Sequence, residues 1–235
     1  MLTHTKPQAA QTESRSLSGR AFDRMRDDIL RCRLMPDTRL RMEDLRERYD
    51  TGFSPLREAL MRLEAEGLVI LEQNKGFRVA PVSRSHLLDL SNVRIEIECL
   101  ALRWAIAKGD VSWEADLISA FHRLSRQSKT SPDHPDRISD AWDREHRRFH
   151  HALVAACGSE MLHSMRDALF DQAERYVALS IAYLDRPRDD VAEHEALMAA
   201  TLARDVEKAC ALCRQHVERT AEKVMMSSRL EQAGQ

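Results

Sequence analysis

The feature that most constrains the fold is a helical spacing of apolar residues that continues through most of residues 85–226. Residues 112–127 show the pattern well, and Ser112 stands where a helix N-cap is expected. Their apolar residues share one helix face: Trp113, Leu117, Phe121 and Leu124. Helices are predicted at 85–108, at 112–127, in a segment ending at Cys157, and at 159–184, 191–202 and 205–226. Such helices bury their apolar faces most economically in an antiparallel bundle.

Residues 17–80 show a different order of elements, in which three helices precede a β-hairpin. A helix from Leu17 and a short second helix are followed by a third, for which Ser54 is predicted as N-cap and Pro55 as the first helical position. Gly67 is predicted to end this helix. The hairpin strands are predicted at residues 68–71 and 77–80. This order is typical of a winged helix-turn-helix, whose third helix enters the major groove of DNA.

The chain is therefore predicted to be mostly α-helical, with two domains joined by a short linker. The predicted parts are a disordered arm (1–16), a winged helix-turn-helix (17–80), a linker (81–84), an all-helical effector and dimerisation domain (85–226) and a polar tail (227–235).

Composition narrows the class of protein further. The chain of 235 residues is 43% apolar and 31% charged, as is ordinary for globular proteins, and its net charge is −2. It has no apolar run of 18 residues and no signal segment, so we expect a cytoplasmic protein without a membrane partner. Residues 17–80 contain 13 Lys and Arg, all but one of them Arg, against 12 Asp and Glu. This balance permits DNA binding without demonstrating it.

The five cysteines predict no disulfide framework, because their number is odd and their spacing irregular. Cys210 and Cys213 form a CxxC pair inside a predicted helix, without a second pair nearby. We therefore favour core filling over metal or redox chemistry for these two residues.

Histidines are the most suggestive polar residues in the helical half. His146 and His150 are four residues apart and therefore lie on one helix face, beside an apolar stripe. His194 and His216 lie in later helical segments that can pack as an antiparallel pair. Four imidazoles would form a metal site, although spacing alone does not show that they meet, and buried or surface histidines without a ligand role are the alternative.

Arg57 is placed unusually, because a cation in the first turn of a helix opposes the helix dipole. A DNA phosphate or a guanine edge would compensate for this charge. Pairing with Glu58, Glu43 or Asp44 is an equally acceptable interpretation.

The runs RLRMEDLRERY, SPLREALMRLEAEGLVI and NKGFRV resemble the DNA-binding domain of the GntR family of bacterial transcription regulators. The matching residues are Pro55, Arg57, Glu58, Ala59, Leu60, Leu63, Gly67, Leu68 and Gly76. Phe53 departs from the pattern, because the family usually has an arginine there; this places the usual half-site sequence in doubt, but not DNA binding itself.

The resemblance implies a set of DNA contacts. Arg57 is expected to contact a base or a phosphate, while Ser54 and the wing tip at Lys75 and Gly76 are expected to contact the DNA backbone. Arg46, on the second helix, completes the predicted DNA-binding set.

The helical half resembles the FCD effector domain of the FadR-type branch of this family, through NVRIEIECLALRWA, FHHALVAACGS, EHEALMAATLARD and RQH. That domain holds a divalent metal through one Asp and three His. The three histidines correspond here to His150, His194 and His216. The Asp position is occupied by His146, so either His146 replaces it as a ligand, which we favour, or Asp143 takes part.

Four imidazoles favour Zn²⁺, Ni²⁺ or Cu²⁺ over Mg²⁺ or Ca²⁺, and zinc or nickel is our prediction. Arg94 matches a family arginine that faces the pocket and is expected to bind the carboxylate of an effector. The alternative for Arg94 is an ion pair with Glu98, one helical turn later.

These features predict a homodimeric transcription regulator, most simply a repressor, that binds an operator and senses a small carboxylic acid. A metal-dependent hydrolase is the alternative, but Glu145 before His146 does not form an HExxH motif, and no nucleophile, phosphate-loop or dinucleotide motif is present. We therefore expect no enzyme activity. A third possibility is a dimerisation domain with inert histidines.

Overall fold

The computed structural model describes residues 16–130, 138–181 and 190–226. Nearly all of the predicted disordered arm and the whole predicted tail lie outside these residues. The helices are α1 (Leu17–Leu30), α2 (Met42–Tyr49), α3 (Phe53–Ala65), α4 (Arg84–Lys108), α5 (Val111–Ser125), α6 (Asp140–Val154), α7 (Glu160–Ile181), α8 (Asp190–Leu202) and α9 (Val206–Met225). The strands are β1 (Arg39–Leu40), β2 (Val69–Glu72) and β3 (Gly76–Val79). No helix in these residues combines the length and apolar character needed to cross a membrane.

The N-terminal domain is a three-helix unit with a small antiparallel sheet in the order β1-β3-β2. Its core is formed by apolar side chains of α1, α2, α3 and the sheet: Phe22, Met25, Ile29, Leu45, Leu56, Leu60, Leu63 and Phe77. The prediction of a two-stranded wing was incomplete, because β1 adds a third strand, in which Leu40 pairs with Phe77 of β3. Two residues are too few to produce a detectable alternation of apolar and polar side chains.

The start of α3 also differs from the prediction. Gly52, in an extended conformation, is the N-cap, and α3 begins at Phe53 rather than after Ser54. Glycine is an acceptable N-cap, and the first-turn amide groups of a helix have no intrahelical partner. Pro55 therefore costs little as the third helical residue, and a Ser-Pro pair does not fix the first residue of the helix.

A similar correction applies to α5. Its N-cap is Asp110, whose carboxylate accepts a hydrogen bond from the Trp113 amide at 2.9 Å, and Ser112 lies inside the helix. Both Asp and Ser are good N-caps, and Asp110 and Ser112 are only two residues apart, so the sequence alone does not decide which of them caps the helix.

The C-terminal domain is a helical bundle around the long helix α4, which packs against α7, α9 and the short 3-10 turn Ala155–Cys157. Its main core contains Leu102, Trp113, Leu117, Phe149, Leu153, Leu162 and Leu197, all buried. All five cysteines are free thiols. Cys99 and Cys213 are buried and Cys210 is half-buried, in agreement with core filling.

The two domains meet along α7. The Cys32 thiol donates to the Arg175 carbonyl at 3.4 Å, and the Arg175 guanidinium donates to the carbonyl of Ala80, where the N-terminal domain ends. Arg26 of α1 forms an ion pair with Asp171 of α7. Helix α7 is therefore bonded to both α1 and the chain that leaves the wing.

Candidate metal centre and DNA-contact surface

Three helices bring the four predicted histidines together. Helix α6 carries His146 and His150, whose Nε2 atoms are 3.1 Å apart. His194 of α8 places its Nε2 atom 3.3 Å from that of His150. The ring of His216, from α9, lies 4.9 Å from that of His194 and 5.3 Å from that of His150. Each imidazole offers one nitrogen, and the four nitrogens lie within 4.8 Å of one another.

These histidines are shielded from water. His146, His150 and His194 are 7%, 5% and 1% exposed. Burial, reinforced by His194, His216 and the cations of Lys129 and Arg94, holds the pKa of the His146 imidazole well below its ordinary value of 6.5. Burial and the neighbouring imidazoles lower the pKa of His150 in the same way. Both rings are therefore neutral at pH 7, which is the form that binds metals.

The donor set fits a divalent transition metal. Nitrogen donors in a buried cluster suit zinc, nickel or copper, whereas magnesium and calcium prefer oxygen. Within the described part of the chain, no carboxylate belongs to this group of ligand atoms. His146 is held in place by the Trp142 ring, which stacks on it at 4.3 Å, and its buried Nδ1 atom has no hydrogen-bond partner among the described residues.

Supporting contacts hold the His216 ring and the backbone of His150 in place. The Glu193 carboxylate lies 3.1 Å from Nδ1 of His216 and also pairs with Arg219. A carboxylate at Nδ1 favours the tautomer that leaves Nε2 free as a ligand. Arg166 donates to the His150 carbonyl at 2.8 Å, which fixes the backbone of α6 beside the cluster. The sequence did not predict these contacts, because each one joins residues from two different helices.

Asp143, the alternative ligand, has another partner. Its carboxylate lies 3.1 Å from Arg31, the C-cap of α1, across the domain junction. It also lies close to Glu174 of α7, and burial together with Asp143 raises the pKa of Glu174 to about 7. The N-terminal turn of the histidine helix therefore faces the DNA-binding domain.

Arg94 lies close enough to the cluster for its charge to help lower the pKa of His146 and of His150. It is 6% exposed, and its guanidinium lies 4.7 Å from the Phe170 ring centroid. Its Nε atom is 3.6 Å from Glu98, so the alternative ion pair is present, but this atom has no hydrogen-bond partner among the described residues. Glu98 instead accepts a 2.7 Å hydrogen bond from Arg166.

The residues predicted to contact DNA all lie on exposed surface. Ser54 and Arg57 are on α3, Arg46 is on α2, and Lys75 and Gly76 form the wing tip. Gly76 has a φ of +85°, a conformation that other residues adopt only with strain. The wing tip is also fixed by Arg39, which donates to the Lys75 carbonyl at 2.8 Å.

Arg57 has no ion-pair or hydrogen-bond partner within the described part of the chain. Its predicted intramolecular partners are therefore not used: Glu58 instead accepts a hydrogen bond from Ser18 at 2.9 Å. Arg57 is consequently free to contact a ligand outside this chain.

A winged helix-turn-helix followed by an all-helical domain with a buried histidine cluster defines a two-domain DNA-binding regulator of transcription. Comparison with known protein families agrees, because residues 17–79 match the bacterial regulatory proteins of the gntR family and residues 89–219 match the FCD domain. The chain belongs to the GntR family of bacterial transcription regulators and carries an FCD domain. It is a transcription regulator and not an enzyme.

Relatives with known names support this assignment. The chain is 42% identical over 200 residues to the HTH-type transcriptional repressor GlaR of Escherichia coli K12, covering 82% of this chain and 89% of GlaR. It is 39% identical over 204 residues to the HTH-type transcriptional regulator BphR of Paraburkholderia xenovorans LB400, covering 87% of this chain and 83% of BphR. Among solved structures, E. coli McbR/YncC has the same fold, with a TM-score of 0.74, 19% identity and coverage of 90% of this chain and 98% of that chain.

Proposed function

We propose that the protein is a homodimeric repressor whose affinity for operator DNA is controlled by a small carboxylic acid bound at a metal in the FCD domain. The observation that carries this proposal is the convergence of four imidazole nitrogens, three of them from buried side chains, from three helices within 4.8 Å of one another. The word repressor in the name of GlaR, at 42% identity, supports the direction of regulation. Because operators lie on the chromosome, we place the protein in the cytoplasm.

The metal would be held by His146, His150, His194 and His216, and zinc or nickel fits these nitrogen donors. When bound, such a metal supplies a Lewis-acidic centre that attracts a carboxylate oxygen. The protein itself contributes Arg94. Because the Nε atom of Arg94 is buried without a hydrogen-bond partner among the described residues, a second carboxylate oxygen of the effector would satisfy it.

Arg166 has a different role, although it lies at the same site. Its guanidinium is occupied by Glu98 and by the His150 carbonyl. We therefore assign Arg94 to the effector and Arg166 to positioning the histidine helix.

The DNA-contact surface supports binding through α3 and the wing. Arg57 in the first turn of α3 would contact a base or a phosphate, and Ser54, Arg46, Lys75 and Gly76 would contact the DNA backbone. A dimer would present two such helices to a near-palindromic operator.

Helix α7 provides a physical connection between the two sites. Arg166 and Phe170 lie against the histidine cluster, and the Phe170 ring is 5.6 Å from that of His150. One to two turns later, Arg175 and Tyr176 bind the segment that leaves the wing. Arg166 and Tyr176 are ten residues apart, about 15 Å along a helix. A shift of α7 on effector binding would therefore change how the DNA-binding domain is held, with a coupling of about 1–3 kcal/mol.

The experiment is a titration of labelled operator DNA with metal-loaded protein in the presence of a panel of mono- and dicarboxylic acids. At least one acid is expected to weaken DNA binding by about 5- to 150-fold, the usual range of allosteric coupling. The response should disappear in Arg94→Met, which keeps side-chain volume but lacks the guanidinium, while DNA binding without effector is retained. Unchanged DNA affinity with every acid would contradict the sensor role.

A further inference from the structure

Phe53 is a large apolar side chain in an unexpected position. It is the first residue of α3 and is 45% exposed, although Leu56, Leu60 and Leu63 of the same helix are fully buried. Removing an aromatic ring from water is favourable, so an exposed ring gains stability from contact with an apolar group. Phe53 therefore offers an apolar surface to a partner outside the chain.

Phe53 shares a helix face with Arg57 and Met61, because these residues are spaced by four. All three are exposed, and Met61 is 45% exposed, like Phe53. This exposed stripe is distinct from the buried face of α3, which is formed by Leu56, Ala59, Leu60 and Leu63. In a helix-turn-helix, the N-terminal residues of the third helix are those that contact base edges, so Phe53 and Arg57 hold the two positions best placed to read sequence.

The ring of Phe53 is held by a cation. The Arg46 guanidinium, from α2, lies 5.5 Å from the ring centroid, which is within the range of a cation–π contact. Arg46 and Arg57, like the exposed Arg41 at the start of α2, form no ion pair with any described residue. An apolar ring beside Arg46 and one helical turn from Arg57 matches a surface that is negatively charged but carries an apolar group, and this combination is typical of the DNA major groove.

We propose that Phe53 is a specificity-determining residue that packs against the 5-methyl group of a thymine in each operator half-site. The phenyl ring neither donates nor accepts a conventional hydrogen bond, so it does not read the polar base edges. The thymine methyl group is the apolar group that the major groove presents. This inference rests on the proposed placement of α3 in the major groove.

The experiment begins with selection of binding sites from a pool of random duplexes by the full-length wild-type protein. The selected motif should contain a thymine at a fixed position in each half-site, and selection with Phe53→Ala should lose the preference at that position alone. Replacing this thymine by deoxyuridine removes only the methyl group. For wild type, the loss in affinity should be about fourfold for each half-site, the equivalent of one buried methyl group.

Two variants make the test specific. Phe53→Ala should bind the thymine and deoxyuridine duplexes equally, while Phe53→Leu should retain a smaller preference for thymine. Met61→Ala is the matched control, because Met61 has the same exposed fraction and lies on the same face, two turns further along α3. This variant should keep the fourfold difference between the two duplexes.

A motif without a thymine at a fixed position, or equal sensitivity of wild type and Phe53→Ala to deoxyuridine, would overturn the role of Phe53 and leave DNA binding intact. Enrichment of no sequence by wild type would instead overturn the proposed docking of α3, and with it this assignment.

Discussion

The phenolic oxygen of Tyr176 lies 3.3 Å from both the amide nitrogen and the carbonyl oxygen of Ser83. It also lies 2.7 Å from Nδ1 of His86, so one buried hydroxyl group joins α7 to the cap and the first turn of α4. Ser83 is the N-cap of α4 and is separated from the end of β3 by three residues. The hydroxyl group of Tyr176 thus holds the junction between the histidine-containing bundle and the DNA-binding domain.

Tyr176→Phe is predicted to weaken communication between the domains without changing metal binding. The variant loses hydrogen bonds that each contribute about 1 kcal/mol to stability, but it changes no group in contact with His146, His150, His194 or His216. Addition of zinc to metal-free wild type should change hydrogen exchange in α1, and this change should be smaller in the variant. Tyr49→Phe is the matched control, because the Tyr49 hydroxyl donates to Asp28 within the N-terminal domain. Equal exchange responses in the two variants would contradict the role of Tyr176.

Acid is predicted to destabilise the metal-free protein through His146 and His150. Their pKa values are held well below 6.5 by burial, so below pH 6.5 the unfolded chain binds protons that the folded chain does not. The free energy of unfolding should therefore fall as pH falls, by up to about 1.4 kcal/mol per pH unit for each histidine. Chemical unfolding between pH 8 and pH 5, in chelator, measures this slope. The slope should be smaller in a His146→Gln, His150→Gln double variant, and an unchanged slope would argue against buried neutral imidazoles.

Glu174 is predicted to have the opposite dependence on pH. Burial and the adjacent Asp143 raise the pKa of Glu174 to about 7, so above pH 7 the folded chain contains a buried carboxylate. Glu174→Gln should therefore gain stability relative to wild type as pH rises from about 4.5 to 7, with no further gain at higher pH. Differential unfolding at pH 5 and pH 8 checks this. A stability difference between Glu174→Gln and wild type that is the same at both pH values would contradict the raised pKa of Glu174.

Arg57→Gln is predicted to weaken operator binding. If Arg57 contacts a phosphate, the slope of log K against log salt concentration should decrease in magnitude by about one. If Arg57 contacts a guanine, discrimination against other bases at that base pair should fall by about 1–3 kcal/mol. Fluorescence anisotropy at several salt concentrations separates these outcomes. Arg33→Gln removes the same charge from the N-terminal domain, but Arg33 is paired with Asp27 and Asp28. This control should leave affinity nearly unchanged, and equal losses would indicate only a general charge effect.

Family and fold class were accessible from the sequence because local patterns encode them. The SPLREAL run defined the third helix and the GntR resemblance, and both were confirmed. The start of α3 was wrong by two residues, since Gly52 rather than Ser54 caps it. Strand β1 was missed because it is only two residues long and exists through its pairing with β3.

The histidine cluster was predicted only in part from spacing. The i,i+4 rule places His146 and His150 on one face, but the positions of His194 and His216 depend on how α8 and α9 pack, which periodicity does not specify. Arg166 and Tyr176 gave no signal, because their partners are 68 and 93 residues away in the chain. The assignment of these residues to a metal and an effector stays a prediction.

The most direct measurement is the metal content of purified protein by elemental analysis, with His150→Ala compared with His151→Ala. His150 is buried in the cluster, whereas the adjacent His151 is exposed and stacks on His163 instead. We predict one zinc or nickel ion per chain for wild type and His151→Ala, and a large loss for His150→Ala. Wild type without a stoichiometric transition metal, even after incubation with zinc or nickel, would contradict the account.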